Sequence, residues 1–232
     1  GHGLWISYFT HSELTWGPLM AALVAALGGH WVLAAALAGV VFSLNAFIGV
    51  WALLMLGAVF LLADGGRQWR LLPRVALAFL LLASPALVWI ARTVGGDTVN
   101  FSYIEYIRAY YPGHFLIEAA GRRELAIAGL SLGMGGLAAW LTPQPRFWWS
   151  VLGACALVFG VGAFLPYLLD HRLVFNLHLL RVDGVAQWLS VVLALSVLSV
   201  RLFGVRDDAV RLLSLLGLLS LLTSSREPLG LV

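Results

Sequence analysis

Charged residues are scarce in this sequence, and lysine is missing altogether. Only 11% of the 232 residues are charged, whereas 61% are hydrophobic. A water-soluble domain of this size carries charge on about a quarter of its residues and is less than half apolar, so a soluble globular enzyme is excluded. All 14 basic residues are arginines, and they stand between apolar runs instead of forming a basic patch. Nucleic-acid binding therefore has no support.

Several motifs of familiar chemistry are also missing. The single cysteine, Cys155, cannot form an internal disulfide, and no cluster of cysteine and histidine indicates a zinc site. No glycine-rich nucleotide loop is present, and no serine has histidine and aspartate partners at a hydrolase spacing. We therefore expect no metal and no cofactor.

The beginning of the chain is unusual because residue 1 is glycine instead of methionine. Residues 1–12 contain no basic stretch followed by an apolar one, so they do not form a signal peptide. We expect that the chain has been processed or is a fragment of a longer protein.

Residues 17–63 contain no Asp, Glu, Lys or Arg. As one helix this stretch would be roughly 70 Å long, against a hydrocarbon core of about 30 Å, so it must fold back on itself. A turn is predicted at residues 28–31, and residues 43–45 form a second polar interruption. Two long passes or three short ones fit the length, and we favour three.

Five more apolar segments follow, at residues 73–90, 125–141, 147–169, 185–203 and 212–223. The sequence therefore predicts an all-α, polytopic integral membrane helix bundle. It forms a single transmembrane domain over residues 1–232, with about eight hydrophobic segments. Several of these segments are shorter than the 17–25 residues of an ordinary span.

The arginines suggest how the bundle is oriented. Residues 64–74, Arg146 and residues 201–211 collect arginines in short loops, which the positive-inside rule places on the cytoplasmic side. The N-terminus and the polar connections at 93–124 and 170–183 then share the outer face.

The outer loop 93–124 carries the first candidate site. Tyr103, Tyr106, Ile107 and Tyr110 recur at helical spacing, which predicts an amphipathic helix lying at the membrane interface and ended by the Pro-Gly pair at 112–113. One interpretation is an interfacial anchor followed by a solvated His114. The other is a site in which Arg108, His114 and Arg181 surround an anionic headgroup, because arginine binds phosphate through a planar fork of donors.

The outer segment 170–183 carries the second candidate site. His178 and Arg181 are three residues apart and would share one face of a helix. Asp170 and Arg172 are expected to pair with each other at the surface. Arg181 lies at the start of an apolar span, where a charge is costly unless it is paired, snorkels to the interface or binds a ligand.

Two features within the spans indicate helix packing. Asn45 is a lone amide in an apolar run, and contact between helices is favoured over contact with a substrate. Gly129 and Gly133, followed by Gly135 and Gly136, predict close approach of another helix.

Four short motifs resemble a known enzyme superfamily. They are Thr10-His11-Ser12-Glu13-Leu14, then the Ala35-to-Val40 stretch ending at Asn45, Tyr111-Pro112-Gly113-His114-Phe115, and Leu179-Leu180-Arg181. The first two resemble the C-fold (GT-C) glycosyltransferases that use polyprenyl-phosphate sugars. The last two resemble segments of related, uncharacterised bacterial membrane proteins. The N-terminal catalytic loop of these enzymes has no counterpart in this sequence.

The resemblance implies transfer of a sugar from a polyprenyl-phosphate donor on the outer face of a bacterial inner membrane. Such a reaction needs a carboxylate base for the acceptor and cations for the leaving phosphate. Glu13 and Asp97 are the candidate catalytic carboxylates. The candidate phosphate-binding residues are Arg108, His114, His178 and Arg181.

A function of a different class remains open beside this one. The same outer residues would only contact lipid headgroups or a partner membrane subunit if the chain were a non-catalytic subunit or scaffold of a larger complex. A proton-coupled transporter is disfavoured, because the charges avoid the middle of the spans and no internal repeat is evident.

Overall fold

The computed structural model describes residues 14–64, 67–93, 102–205 and 207–223. Within these ranges all regular secondary structure is helical. Four helices are long and apolar enough to cross a membrane, and two shorter apolar helices accompany them. The predicted fold class, an all-α bundle of membrane-spanning type, is therefore confirmed.

Eight apolar helices build the bundle in the described part of the chain. In chain order they are α1 (Trp16–Leu27), α2 (Trp31–Leu44), α3 (Ala46–Ala58), α4 (Leu72–Thr93), α7 (Arg122–Trp140), α8 (Pro145–Leu168), α10 (Val182–Gly204) and α11 (Asp208–Thr223). Three shorter helices, α5 (Tyr103–Tyr110), α6 (Pro112–Phe115) and α9 (Arg172–Asn176), lie in the connections. The predicted count of about eight segments agrees with the described part of the chain.

The stretch without charges folds as three helices, as expected. Helix α1 ends at Leu27, and the turn to α2 contains Gly29 with φ +77°, a left-handed conformation that glycine adopts without strain. Asn45 separates α2 from α3, where its side-chain oxygen accepts hydrogen bonds from the backbone N–H groups of Phe47 (3.1 Å) and Ile48 (3.3 Å). The amide thus acts as an N-cap, a role that the sequence analysis did not assign to it.

The first two helices are short and the third is lengthened. Helices α1 and α2 have 12 and 14 residues, or about 18 and 21 Å, which is less than the hydrocarbon core of about 30 Å. Helix α3 continues through a π-helical turn, Val59–Ala63. Helix α4 is preceded by a 3₁₀ turn, Trp69–Leu71.

Because successive helices run in alternate directions, the connections collect at two ends of the bundle. At one end, here called the cap face, lie residues 44–46, 102–121 and 169–181. The Phe47 and His178 rings meet there, with centroids 4.7 Å apart. At the other end, the opposite face, Gly29, Asp64 and Gln144 line one cavity. The described residues of 64–74 and Arg146, predicted to be cytoplasmic, thus share one end. The described residues of the two polar segments that are predicted to be outer, 93–124 and 170–183, share the other.

Small residues let the helices approach closely. A Cβ added to Gly39 of α2 would lie 2.7 Å from the Phe79 carbonyl oxygen of α4. Gly135 of α7 packs in the same way on Ser190 of α10. The Gly129/Gly133 pair is not part of such a contact, since a Cβ at either position would meet nothing within 4 Å. The packing expected of that pair is made instead by Gly135 and its neighbour.

Helix α4 lies at the edge of the bundle. Ala83 is its one buried residue, whereas leucines and Trp89 on the rest of the helix are exposed. In a membrane this apolar surface faces lipid or a partner helix.

Candidate functional site

The two polar segments that are predicted to be outer meet at the cap face. The Ser102 hydroxyl donates a hydrogen bond to Asp170 (2.8 Å), and the backbone N–H of Ile104 donates to the other oxygen of the same carboxylate (2.9 Å). Asp170 was expected to pair with Arg172, whose side chain lies outside the described set. The hydrogen bonds of this carboxylate fix the start of α5 to the segment that follows α8.

A small apolar core joins the segments beneath these hydrogen bonds. Ile107, Leu116 and Phe175 are buried together. The ring of Phe175 lies 6.2 Å from Phe115, at a steep angle. Because these residues come from both segments, they hold 102–119 and 170–181 as one unit.

Helix α5 forms where the tyrosine spacing predicted it, and it ends at Tyr110 before Pro112, which begins α6. Its predicted apolar face is divided in the structure. Ile107 packs into the small core of the cap, whereas Tyr106 and Tyr110 are exposed. The exposed tyrosines fit the headgroup region of a membrane, where amphipathic aromatic rings collect.

Arg108 forms an ion pair with Glu118 at the cap face. Its Nε donates to Glu118 Oε1 (2.7 Å), and a terminal nitrogen donates to Oε2 (3.4 Å). This hydrogen bond and the opposite charge lower the pKa of Glu118 and raise that of Arg108. An anionic ligand at Arg108 would have to compete with Glu118, so Arg108 is a weaker phosphate site than the sequence indicated.

The Arg108–Glu118 ion pair predicts a small stability difference that depends on pH. An unperturbed glutamate has a pKa of about 4.3, and that of folded Glu118 is lower. The pair therefore stabilises fully above the unfolded-state pKa, and its contribution is lost as the pH falls through the folded-state value. Glu118→Gln should lower the melting temperature slightly at neutral pH and equal the wild type at an acid pH below the folded-state pKa of Glu118.

Glu105→Gln provides the control for this measurement, because Glu105 is an exposed carboxylate of the same cap that makes no ion pair with a described residue. Thermal unfolding of the purified protein should show no comparable loss for this variant. A deficit of Glu118→Gln that is equal at both pH values would contradict the assignment.

His178 and Arg181 lie at the centre of the cap, but not on one helical face. His178 has a left-handed backbone (φ +46°) and precedes a 3₁₀ turn, Leu179–Arg181. The left-handed residue breaks the helical register that the spacing suggested. The imidazole packs between Phe47 (4.7 Å between centroids) and Phe115 (4.5 Å).

Arg181 is the N-cap residue of α10 and is exposed. Among the described residues, no carboxylate forms an ion pair with its guanidinium. The amino end of a long helix adds a partial positive charge at this place. Arg181 is therefore better placed than Arg108 to contact an anion at the cap face.

The remaining candidates are not described to the same extent. Glu13 and Asp97, the two candidate carboxylates, lie outside the described residues. His114 belongs to α6, next to Phe115, but its side chain is outside the described set. Within that set no three His, Cys, Asp or Glu side chains are grouped so that they could hold a metal ion.

The opposite face contains a feature that sequence reasoning missed. A cavity of about 380 Å³ is lined there by Trp31, Asp64, Gln144 and Arg146, among others. Each of these residues lies next to a turn or loop, which indicated only an interface position. Because these residues are far apart in the sequence, their proximity in the structure could not be predicted from it.

Comparison with known proteins does not assign the chain to a family. No protein-family model, no curated protein and no solved structure matches it. Its function is therefore inferred from the side chains at the two ends of the bundle.

Proposed function

We propose that this chain is the membrane core of a lipid-linked sugar glycosyltransferase that binds its phosphate-bearing donor at the cap face. The observation that supports this proposal is the meeting of residues 102–121 and 169–181 around an exposed arginine at the end of a membrane helix. The hydrogen bonds of Asp170 to Ser102 and Ile104 join the two segments.

Arg181 is the main phosphate-binding residue in this proposal. Its planar guanidinium offers paired donors to phosphate oxygens. The residue follows Leu180 and precedes the 23 residues of α10, so a phosphate beside it would lie at headgroup level while the polyprenyl chain lies against apolar helices. This arrangement suits an amphiphile better than it suits a soluble anion.

The two histidines have supporting roles. His178 precedes the same 3₁₀ turn as Arg181, and an imidazole can donate a hydrogen bond or a proton near neutral pH. His114 immediately precedes Phe115, whose ring contacts the His178 ring, and we assign it to the same anion site. Arg108 contributes positive charge to the region while Glu118 holds it in position.

The proposed reaction places charge where these cations lie. Negative charge develops on the departing polyprenyl phosphate as its bond to the sugar breaks, and preorganised cations stabilise that charge. A carboxylate accepts the proton of the attacking acceptor hydroxyl. Glu13 and Asp97 are the carboxylates assigned to this role.

A non-catalytic membrane subunit is the second candidate function, and two observations favour it. Two pairs of polar groups at the cap face satisfy each other, since Asp170 bonds to Ser102 and Arg108 pairs with Glu118. Helix α4 also presents a broad apolar surface. A scaffold needs a folded cap and a helix face for a partner subunit, but no substrate.

Removing the phosphate-binding cations should weaken lipid binding. Arg181→Ala is expected to reduce the affinity for a fluorescent short-chain polyprenyl phosphate about tenfold, because a charge-assisted hydrogen bond contributes about 1.5–3 kcal/mol. His114→Ala should have a smaller effect in the same direction. Binding is measured on the purified protein in detergent micelles.

Arg201→Ala is the matched control, because Arg201 lies in the last turn of the same helix, at the opposite end. It should bind the lipid as the wild type does. Unchanged affinity in both Arg181→Ala and His114→Ala would refute the phosphate site. Purification of a fixed stoichiometric complex that binds no polyprenyl phosphate would favour the scaffold.

A further inference from the structure

The cavity at the opposite face contains two buried polar atoms without hydrogen-bond partners. These are the indole Nε1 of Trp31 and the Oδ2 of Asp64. Both residues line the cavity of about 380 Å³, and Trp31 is only 5% exposed. Nearly all buried polar groups in folded proteins are paired, and one ligand in this cavity can satisfy both the open donor and the open acceptor.

The backbone at Asp64 is unusual as well. Helix α3 widens into the π turn Val59–Ala63, and the Asp64 N–H donates to the Val59 carbonyl oxygen (3.1 Å). Turns of this type occur frequently at functional sites. The π turn places the carboxylate at the cavity wall, where Val59 and Ala63 are also found.

A positive charge lies on another wall of the same cavity. Arg146 is exposed at the start of α8 and lines the cavity. In the described part of the chain neither Arg146 nor Asp64 forms an ion pair. The cavity thus offers one cation, one anion and one neutral donor, which together complement a zwitterion.

An apolar groove adjoins this cavity. The groove measures about 550 Å³ and shares Gly29 and Trp31 with the cavity. It continues along Val32 and Leu33, which are exposed on α2. A cavity that contains a few polar side chains, beside an apolar groove at the end of a membrane bundle, matches the two parts of a phospholipid.

We propose that this cavity and groove bind a phospholipid with a primary ammonium headgroup, namely phosphatidylethanolamine. The ammonium donates hydrogen bonds to Asp64, and the phosphate accepts from Trp31 Nε1 and pairs with Arg146. One acyl chain lies along Val32 and Leu33. This site is independent of the function proposed for the cap face.

The chemistry of Asp64 selects this headgroup. A primary ammonium has three N–H donors, as in lysine, whereas the trimethylammonium of phosphatidylcholine has none. Phosphatidylglycerol carries a net negative charge and would bring no cation to the carboxylate. The cavity lies within the 300–1,000 Å³ that is usual for small-ligand pockets.

The test is lipid retention by the purified full chain, measured by native mass spectrometry with lipids of identical acyl chains. The wild type should retain phosphatidylethanolamine about tenfold better than phosphatidylcholine, and Asp64→Asn should reduce this ratio to about two. Trp31→Phe should weaken retention of both lipids, because the phosphate loses a donor. Arg146→Gln should do the same without altering a buried side chain.

Two control variants separate the site from general effects. Asp208→Asn removes an almost fully exposed carboxylate, and Trp51→Phe removes a buried indole N–H that is equally without a partner but does not line the cavity. Both should keep the wild-type preference. Equal retention of the two lipids by the wild type, an unchanged preference in Asp64→Asn, or equally strong retention of phosphatidylglycerol would overturn the proposal.

Discussion

Gly39→Ala is expected to lower the free energy of unfolding by about 3 kcal/mol, at the upper end of the usual cost of overpacking. The added Cβ would lie 2.7 Å from the Phe79 carbonyl oxygen and 2.8 Å from the Leu82 Cβ. The first of these atoms belongs to backbone, so the clash cannot be relieved by a side-chain rotation. Helices α2 and α4 would have to move apart, which would also strain the hydrogen bond from Ser43 Oγ to the Leu82 carbonyl oxygen (2.5 Å).

Gly57→Ala is the control for this substitution. Gly57 is a helical glycine of α3 at which a Cβ would meet nothing within 4 Å. Alanine there should be neutral or stabilise by about 0.5–1 kcal/mol, through its higher helix propensity. Thermal unfolding in detergent should place Gly39→Ala about 5–10 °C below the wild type, and a melting temperature equal to that of Gly57→Ala would contradict the close packing of α2 on α4.

Most of the helical architecture could be predicted because its signals are local. The absence of charge over residues 17–63 required a membrane helix that folds back, and its length left two or three passes open, of which the structure has three. The glycine pair at 28–29 and the lone Asn45 marked the two breaks, since the first tolerates a left-handed turn and the second caps a helix. These properties depend on a few neighbouring residues.

The packing partners could not be predicted in the same way. A row of glycines indicates that another helix can pack closely on that surface, but it does not show which neighbouring helix packs on which glycine. Gly129 and Gly133 had the expected spacing and remain open, whereas Gly135 and Gly136 contact Ser190 and Trp149. The choice depends on how α7, α8 and α10 are arranged together, and no spacing within α7 contains that information.

The candidate site was predictable in its location and less so in its detail. Counting helices was sufficient to place the described residues of 93–124 and those of 170–183 at one end, because each pass reverses the direction of the chain. The pairing of Arg108 with Glu118 was not foreseen, since it depends on the break between α5 and α6. The left-handed backbone conformation of His178 could not be predicted either, because the surrounding sequence does not contain a glycine that would mark such a turn.

Gly162 connects the packing of the bundle to the proposed phosphate site. It lies on α8, where a Cβ would be 2.6 Å from the Leu179 Cβ and 3.0 Å from the Leu180 backbone nitrogen. Both of those residues belong to the 3₁₀ turn that ends at Arg181. A methyl group at position 162 would therefore displace the turn, and the guanidinium with it.

Gly162→Ala should consequently weaken polyprenyl phosphate binding about tenfold, as the removal of the arginine would, and should destabilise the protein by about 1–3 kcal/mol. Gly160→Ala is the matched control, because Gly160 lies two residues earlier on the same helix and a Cβ there would meet nothing within 4 Å. The control should retain wild-type affinity and stability. A Gly162→Ala protein that is destabilised yet binds the lipid as the wild type does would show that the position of the 3₁₀ turn does not determine binding, and the phosphate would then have to contact other residues of the cap face.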